Sequence, residues 1–307
     1  MSEDLHNQPF PYARAICYSG FRDGQNPGNG TFPSYDEVKE DLTIIQQHWQ
    51  YIRLYDCGDH ARTTLEVISK EGIDLKVYLG AYILAEENNP DCPWNPPKKS
   101  TEQLARNKAY NRQRVEDMIK LSEEFTDIVI ALSVGNEATV AWTDHQVSVD
   151  SVIEYLRLVK SSSGKPVSFC ENYVPWTGKL DRLVAYVNFI SLHTYPVWEY
   201  RSIDQALEYT IQNYRAVAQR FPDIPIVIAE AGWATRSNGR GIDPENVNET
   251  FQKTYFDELM KWADTHQITT FFFEAFDENW KGSSDELEPE KHWGVFFADR
   301  TPKLVMH

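Results

Sequence analysis

The chain has 307 residues, 41% of them hydrophobic, enough for one large α/β barrel or two ordinary domains. Its formal net charge of -16 speaks against nucleic acid and anionic membrane surfaces as partners, and disfavours polyanionic polymers such as pectin. A neutral polymer would not be repelled. The 9 Trp and 16 Tyr suit the flat apolar faces and hydroxyl edges of sugars, although the rim loops of any large barrel are also rich in aromatic residues.

Apolar, β-branched runs alternate with helical patterns along the chain. Strands are predicted at 13–20, 51–56, 75–83, 128–137, 166–173, 187–196, 225–233 and 269–278. Ser34 and Glu37 form a capping box ahead of Val38, Leu42, Ile45 and Trp49. Ser100 can cap a long charged helix running to about Phe125, and helices follow at 147–161, 202–220 and 247–265. The proline-rich segment 90–97 reads as a loop after the third strand. Eight strands with intervening helices predict a single-domain (β/α)8 TIM barrel. A polar stretch at 281–291 and a short tail follow the eighth strand, so the eighth helix is expected to be short or missing. No linker or repeat divides the chain.

The first residues are polar, no signal peptide is visible, and no run is long enough to span a membrane. A secreted or periplasmic location with the leader already removed is the expectation, and a cytoplasmic one stays open. Cys17, Cys57, Cys92 and Cys170 form no C-x-x-C pair and give no zinc signature; three of them lie on or next to strand-like runs, where buried thiols are expected. Asn29-Gly30-Thr31 and Asn248-Glu249-Thr250 fit the glycosylation sequon, a pattern that also arises by chance.

Two carboxylates stand where barrel chemistry is found. Glu137 closes the run 128–137, and Glu230 follows Ile226-Val227-Ile228-Ala229. They end the fourth and seventh strands, so both face the C-terminal mouth of a barrel. Cleavage of a glycosidic bond needs such a pair: one carboxyl protonates the leaving oxygen, and the other attacks the anomeric carbon from ~5 Å away. The acid must hold its proton near working pH, which apolar surroundings or a neighbouring carboxylate favour. Taken singly, Glu137 could equally cap a helix and Glu230 could sit in a buried ion pair. Asn136 could hold a sugar 2-hydroxyl, and Trp233, beyond the small residues Ala231 and Gly232, could wall a sugar site. In 271–281, Glu278 and Lys281 are expected at the rim, and Glu274 and Asp277 in a solvated loop. His193 reads as a hydrogen-bonded supporting or core residue rather than a metal ligand, and Asp144-His145 as a surface pair opening a helix. There is no glycine-rich phosphate loop and no G-x-S-x-G elbow.

Together these segments resemble glycoside hydrolase family 17, the β-1,3-glucanase family. Val134-Gly135-Asn136-Glu137 is similar to its acid/base strand. Ala229-Glu230-Ala231-Gly232-Trp233 is similar to its nucleophile strand, which in plant members reads Ser-Glu-Ser-Gly-Trp-Pro. Phe276-Asp277-Glu278-Asn279-Trp280-Lys281, Glu290 and Trp293-Gly294-Val295-Phe296 resemble its Phe-Asn-Glu-Asn-Gln-Lys and Phe-Gly-Leu-Phe segments. Ile16-Cys17-Tyr18 and Ile52-Arg53-Leu54-Tyr55-Asp56 match its first two strands, and the segment 21–27 looks like bacterial members.

The resemblance implies a retaining mechanism with Glu230 as nucleophile and Glu137 as acid/base. It implies that Glu278, Lys281 and Glu290 support the carboxylates and hold sugar hydroxyls. Tyr18, Tyr55, Asn136, Tyr195 and Trp233 would line the central subsites. The expected partner is a β-glucan polysaccharide or oligosaccharide, with no cofactor, no metal, no nucleic acid, no membrane insertion and a monomeric state. Endo cleavage of laminarin-type β-1,3-glucan is the preferred expectation. Exo cleavage and β-1,3-glucanosyl transfer are alternatives, as is a non-catalytic glucan-binding barrel. A phosphate-handling barrel would want glycine-rich loops after strands seven and eight, which the sequence lacks.

Overall fold

A computed structural model describes residues 8–307. The polar N-terminal residues, read above as lacking a leader, lie largely outside the described residues. Eight parallel strands pair in sequence order and close on themselves: β1 (Ala15–Cys17), β2 (Tyr51–Leu54), β3 (Lys76–Ala81), β4 (Val129–Asn136), β5 (Val167–Asn172), β6 (Ile190–His193), β7 (Ile226–Ala231) and β8 (Thr270–Phe272). The outer ring consists of α1 (Tyr35–Ile45), α2 (Asp59–Glu71), α3 (Thr101–Glu124), α4 (Val149–Ser162), the single turn α5 (Tyr173–Trp176), α6 (Ile203–Arg220) and α7 (Glu249–His266).

The predicted caps hold. The Ser34 hydroxyl accepts from the Glu37 amide while the Glu37 carboxylate accepts from the Ser34 amide, and Ser100 accepts from Gln103. Asn248, one of the two sequon asparagines, caps α7 by accepting from the Phe251 amide. Helix α2 was not among the helices read from the sequence. Its entry is Gly58, which offers no side-chain cap, so the usual start signal is missing. After β8 the described chain forms two short 3-10 turns, Pro289–Lys291 and Leu304–Met306, in place of an eighth helix.

Two apolar layers hold the barrel. The interior is filled by alternating large and small side chains: Tyr78, Phe189 and Phe271 sit among Ala15, Cys17, Ala131, Cys170 and Ala229. Phe10 packs edge-on against Tyr51 and Phe189. Each fully buried aromatic of this size contributes on the order of 2–3 kcal/mol of transfer free energy. The second layer lies between strands and helices, with Ile52, Leu79, Leu132, Ile190 and Ile228 facing Val38, Leu65, Val115, Leu156 and Leu259. All four cysteines are free and buried, the three beside strands as their positions predict and Cys92 within the loop after β3. No helix among the described residues is long and apolar enough to cross a membrane.

Candidate active site

The strands are parallel, so their C-terminal ends share one face, and there the two glutamates converge. Gly135 (φ 78°) and Glu137 (φ 47°) both adopt left-handed backbone at the end of β4, where the pairing with β5 also shifts register. A side chain at Gly135 would press into Ile83 and Phe169, so glycine is required there. The left-handed conformation of Glu137 costs roughly 1–2 kcal/mol for a non-glycine residue. Its amide is anchored on the Cys170 carbonyl at 3.0 Å. This turn carries the Glu137 carboxyl off the strand and over the barrel axis. Glu230 needs no such turn: it lies within β7, opposite His193 of β6, just past a shift in the β6–β7 register.

Glu230 is buried and held by three side chains. Arg53 Nη1 donates to its Oε1 at 2.5 Å, Tyr195 donates to Oε2 at 2.6 Å, and His193 Nδ1 lies 3.4 Å from Oε2. Burial alone would push its carboxyl up. The charges of His193 and Arg53, with the hydrogen bonds from Tyr195 and Arg53, outweigh burial and hold it below the usual carboxylate range. His193 Nδ1 also lies 3.0 Å from Glu137 Oε1. Burial lowers the His193 value, but the Glu230 charge and the hydrogen bond to Glu137 raise it to about 10, so the ring is an imidazolium near neutrality. One oxygen from each glutamate and a His193 ring nitrogen lie within 4.8 Å of one another. The positive ring between them offsets the repulsion of two carboxylates at this distance.

The same three groups could in geometry hold a metal ion. Here Glu137 Oε1 and His193 Nδ1 are bonded to each other, Arg53 and Tyr195 occupy Glu230, and the buried Arg53 guanidinium would repel a cation. The set therefore fits a proton-bearing network better than a metal.

Arg53 was not singled out as a site residue, yet it organises the centre. Its Nη2 donates to Asn136 Oδ1 at 2.5 Å, which leaves the Asn136 amide nitrogen free to donate to a ligand. Its guanidinium stacks 4.4 Å from the Tyr55 ring centroid. The available signal was a lone arginine inside the apolar run Tyr51–Leu54, since a buried arginine requires an anionic partner. Glu171, at the end of β5, was also missed. Its Oε2 accepts from the Thr139 amide and hydroxyl at 2.9 and 2.7 Å, pinning the chain just beyond Glu137. Burial and the Glu137 charge push its carboxyl up to about 7, against the lowering effect of those hydrogen bonds.

Tyr18, Tyr55, Asn136, Glu137, Tyr195, Glu230, Lys281 and Glu290 all line one cleft of about 1260 Å³ at the barrel mouth. Lys281 sits 2.6 Å from both oxygens of Glu274 and 2.8 Å from Glu278. Burial pushes the Glu290 carboxyl up to about 7; Lys281 lowers it, while Glu288 and Glu137 raise it. Trp280 and Trp293 also line the cleft, and their indole nitrogens, shielded from solvent, donate to no protein group.

Several expectations are corrected. Trp233 does not wall the cleft: it is fully buried, donates to the Asn246 carbonyl at 3.0 Å and packs on Tyr255. The approach that Gly232 permits is that of the Phe273 carbonyl, which a β-carbon would strike, and not that of a ligand. Glu278 is not at the rim: it is fully buried and accepts from the Phe21 amide and the Ser19 hydroxyl at 2.8 and 2.6 Å, tying the β8 loop to the β1 loop. Glu274 and Asp277 are likewise buried, because the segment 293–297 folds back over them; Asp277 accepts from Lys303 at 2.7 Å and from the Gly294 amide at 2.9 Å. Asp144-His145 precedes α4 by several residues, and His145 is mostly shielded from solvent. Its Nε2 bonds the Asn136 carbonyl at 2.8 Å and its Nδ1 the Tyr82 hydroxyl at 3.2 Å.

A closed (β/α)8 barrel carrying two facing glutamates in an aromatic cleft has the architecture of a glycoside hydrolase. The chain belongs to the BtgE/BtgC glycoside hydrolase domain family, whose model matches residues 15–294. It is similar to a glucan 1,3-β-glucosidase of Arthroderma benhamiae, 24% identical over 93% of this chain and 89% of that one. It is also 24% identical to a probable glucan endo-1,3-β-glucosidase btgC of Aspergillus clavatus, matching 88% of this chain but 39% of that longer protein. Among solved structures, an endo-laminarinase from Formosa superposes with a TM-score of 0.81 at 23% identity, covering 100% of this chain and 88% of that one. A glycoside hydrolase family 17 β-1,3-glucanosyltransferase from Rhizomucor miehei superposes at 0.69 with 20% identity, covering 95% of each. At these identities the superpositions speak for the fold.

Proposed function

We propose that this chain cleaves β-1,3-glucan of the laminarin type by double displacement with retention of configuration, attacking within chains. The observation that carries the mechanism is the close approach of the Glu137 and Glu230 oxygens, within 4.8 Å. Retaining enzymes hold their carboxyl groups about 5–5.5 Å apart, whereas inverting ones leave room for a water at about 6.5–9.5 Å. Glu230, kept ionised by Arg53, His193 and Tyr195, attacks the anomeric carbon. The glycosidic bond breaks, and its oxygen takes the proton of Glu137. Glu137 then removes a proton from water, whose oxygen attacks the same carbon and releases Glu230. The Asn136 amide is oriented to donate to the sugar 2-hydroxyl.

The substrate rests on the named activities of the fungal relatives, and the cleft volume suits several sugar units rather than one. Within the family, the segment 21–27 supports a bacterial-type member. A monomer outside the cytoplasm suits a polymer that cannot cross a membrane.

The test uses laminarin, lichenan and a reduced laminari-oligosaccharide, with products followed over time. Endo hydrolysis gives mixed short products from laminarin. A single small product from the outset would mean exo action, ladders longer than the substrate would mean glucanosyl transfer, and binding without release would mean a non-catalytic barrel. Roles are separated with azide. Glu230→Gly should regain turnover by forming a glycosyl azide of inverted configuration, and Glu137→Gly one of retained configuration. Full turnover by Glu230→Gly without azide would refute the assignment.

A further inference from the structure

Two loops meet over the cleft mouth, and the chemistry above does not require them to. The loop 82–100 after β3 is fastened to the loop after β4. Asn89 Nδ2 donates to the carbonyls of Ala141 and Thr143 at 2.8 and 2.9 Å, and Cys92 Sγ to that of Trp142 at 3.3 Å. Near its tip, Trp94 is 57% exposed. From the other side, the loop after β7 is fastened by the Ser237 hydroxyl, which donates to the Ile242 carbonyl at 2.6 Å. Gly241 (φ 74°) lies so close to the Trp198 ring that a β-carbon would collide with it. Arg240 projects from this loop. Its guanidinium sits 4.7 Å from the Trp94 ring centroid, and its Nη1 lies 3.0 Å from Glu288.

In the closed strand order, β3 and β7 stand on opposite sides of the barrel, so this contact spans the mouth. Trp94 and Arg240 line the same cleft as the two glutamates. Arg240 and Glu137 both act on the charge of Glu290, which places the contact near the reacting centre.

We propose that Trp94 and Arg240 form a clasp across the cleft that admits linear glucan by threading and disfavours chains carrying side branches. The proposal rests on the glucanase reading above. A chain reaching from the β8, β1 and β2 flank, where Phe32 and Trp280 lie, to the β5 and β6 flank at Val174 and Tyr200 passes beneath the clasp. A linear end slides under it. A stretch with a β-1,6-linked side sugar needs the clasp open. Opening breaks an exposed cation–π contact, a penalty of about two- to fivefold in population.

The test compares kcat/KM on laminarihexaose and on a β-1,6-branched β-1,3-glucan for wild type, Trp94→Ala, Arg240→Gln and the double variant, with Tm of each. The glutamine can still donate to Glu288. In each single variant the branched-to-linear ratio of kcat/KM should rise about two- to fivefold, with no further rise in the double. A ratio equal to that of wild type, additive gains, or an equal loss on both substrates would overturn the clasp. The same ratio is read as affinity in a Glu230→Gln background. If wild type turns over neither glucan, the catalytic reading fails while the affinity ratio still decides the clasp. No affinity for either glucan overturns both.

Discussion

Arg53→Met would remove the cation that keeps Glu230, the proposed nucleophile, ionised while preserving much of the side-chain volume. Arg53 Nη1 and Glu230 Oε1 are 2.5 Å apart, and both side chains are almost wholly buried. With charge centres about 4 Å apart and an effective dielectric of about 20, the pair is worth about 4 kcal/mol. In the proposed mechanism Glu230 acts as the carboxylate, so the acid limb of kcat/KM against pH should move upward. His193 and Tyr195 remain in place, so the limb moves by less than the full strength of the lost pair. Stripping the partner from a buried charge should also cost about 3–5 kcal/mol of stability. The assay is a pH–rate profile on laminarihexaose, with near-ultraviolet circular dichroism to confirm packing. Arg53→Lys retains the charge but not the two-pronged contact with Glu230 and Asn136, and should move the limb less than Arg53→Met does. An unmoved acid limb in well-folded Arg53→Met would refute the claim that Arg53 sets the ionisation of Glu230.

Two further predictions concern Glu171 and Trp233. The Glu171 carboxyl, raised to about 7 in the fold, stabilises the protein below its unfolded value near 4.5, and that contribution is lost as pH rises through 7. Glu171→Gln should therefore flatten the fall in urea-unfolding free energy between pH 5 and 8 by about 2–3 kcal/mol, and an unchanged slope would contradict the assigned ionisation. Trp233→Phe should lower stability by about 1–3 kcal/mol, through the orphaned Asn246 carbonyl and the space left beside Tyr255, with KM for laminarihexaose unchanged. A raised KM at unchanged Tm would restore Trp233 to the sugar site.

The sequence by itself determined the barrel and the placement of its two glutamates. Strand identity is a local property: β-branched runs such as Ile226–Ala231 and caps such as Ser34 with Glu37 are read within a few residues. Parallel pairing in chain order then carries the ends of β4 and β7 to one face. The environment of those glutamates was decided only by tertiary structure. Arg53 meets Glu230 across 177 positions of sequence and His193 meets Glu137 across 56, and no local pattern encodes such contacts. Trp233 and Glu278 show the converse. Each sits beside a motif that suggests the cleft, yet each is buried, Trp233 against α7 and Glu278 beneath the β1 loop. A side chain's neighbours are fixed by which elements pack over it, and the helix ring and the returning segment 293–297 become neighbours only once the barrel has closed.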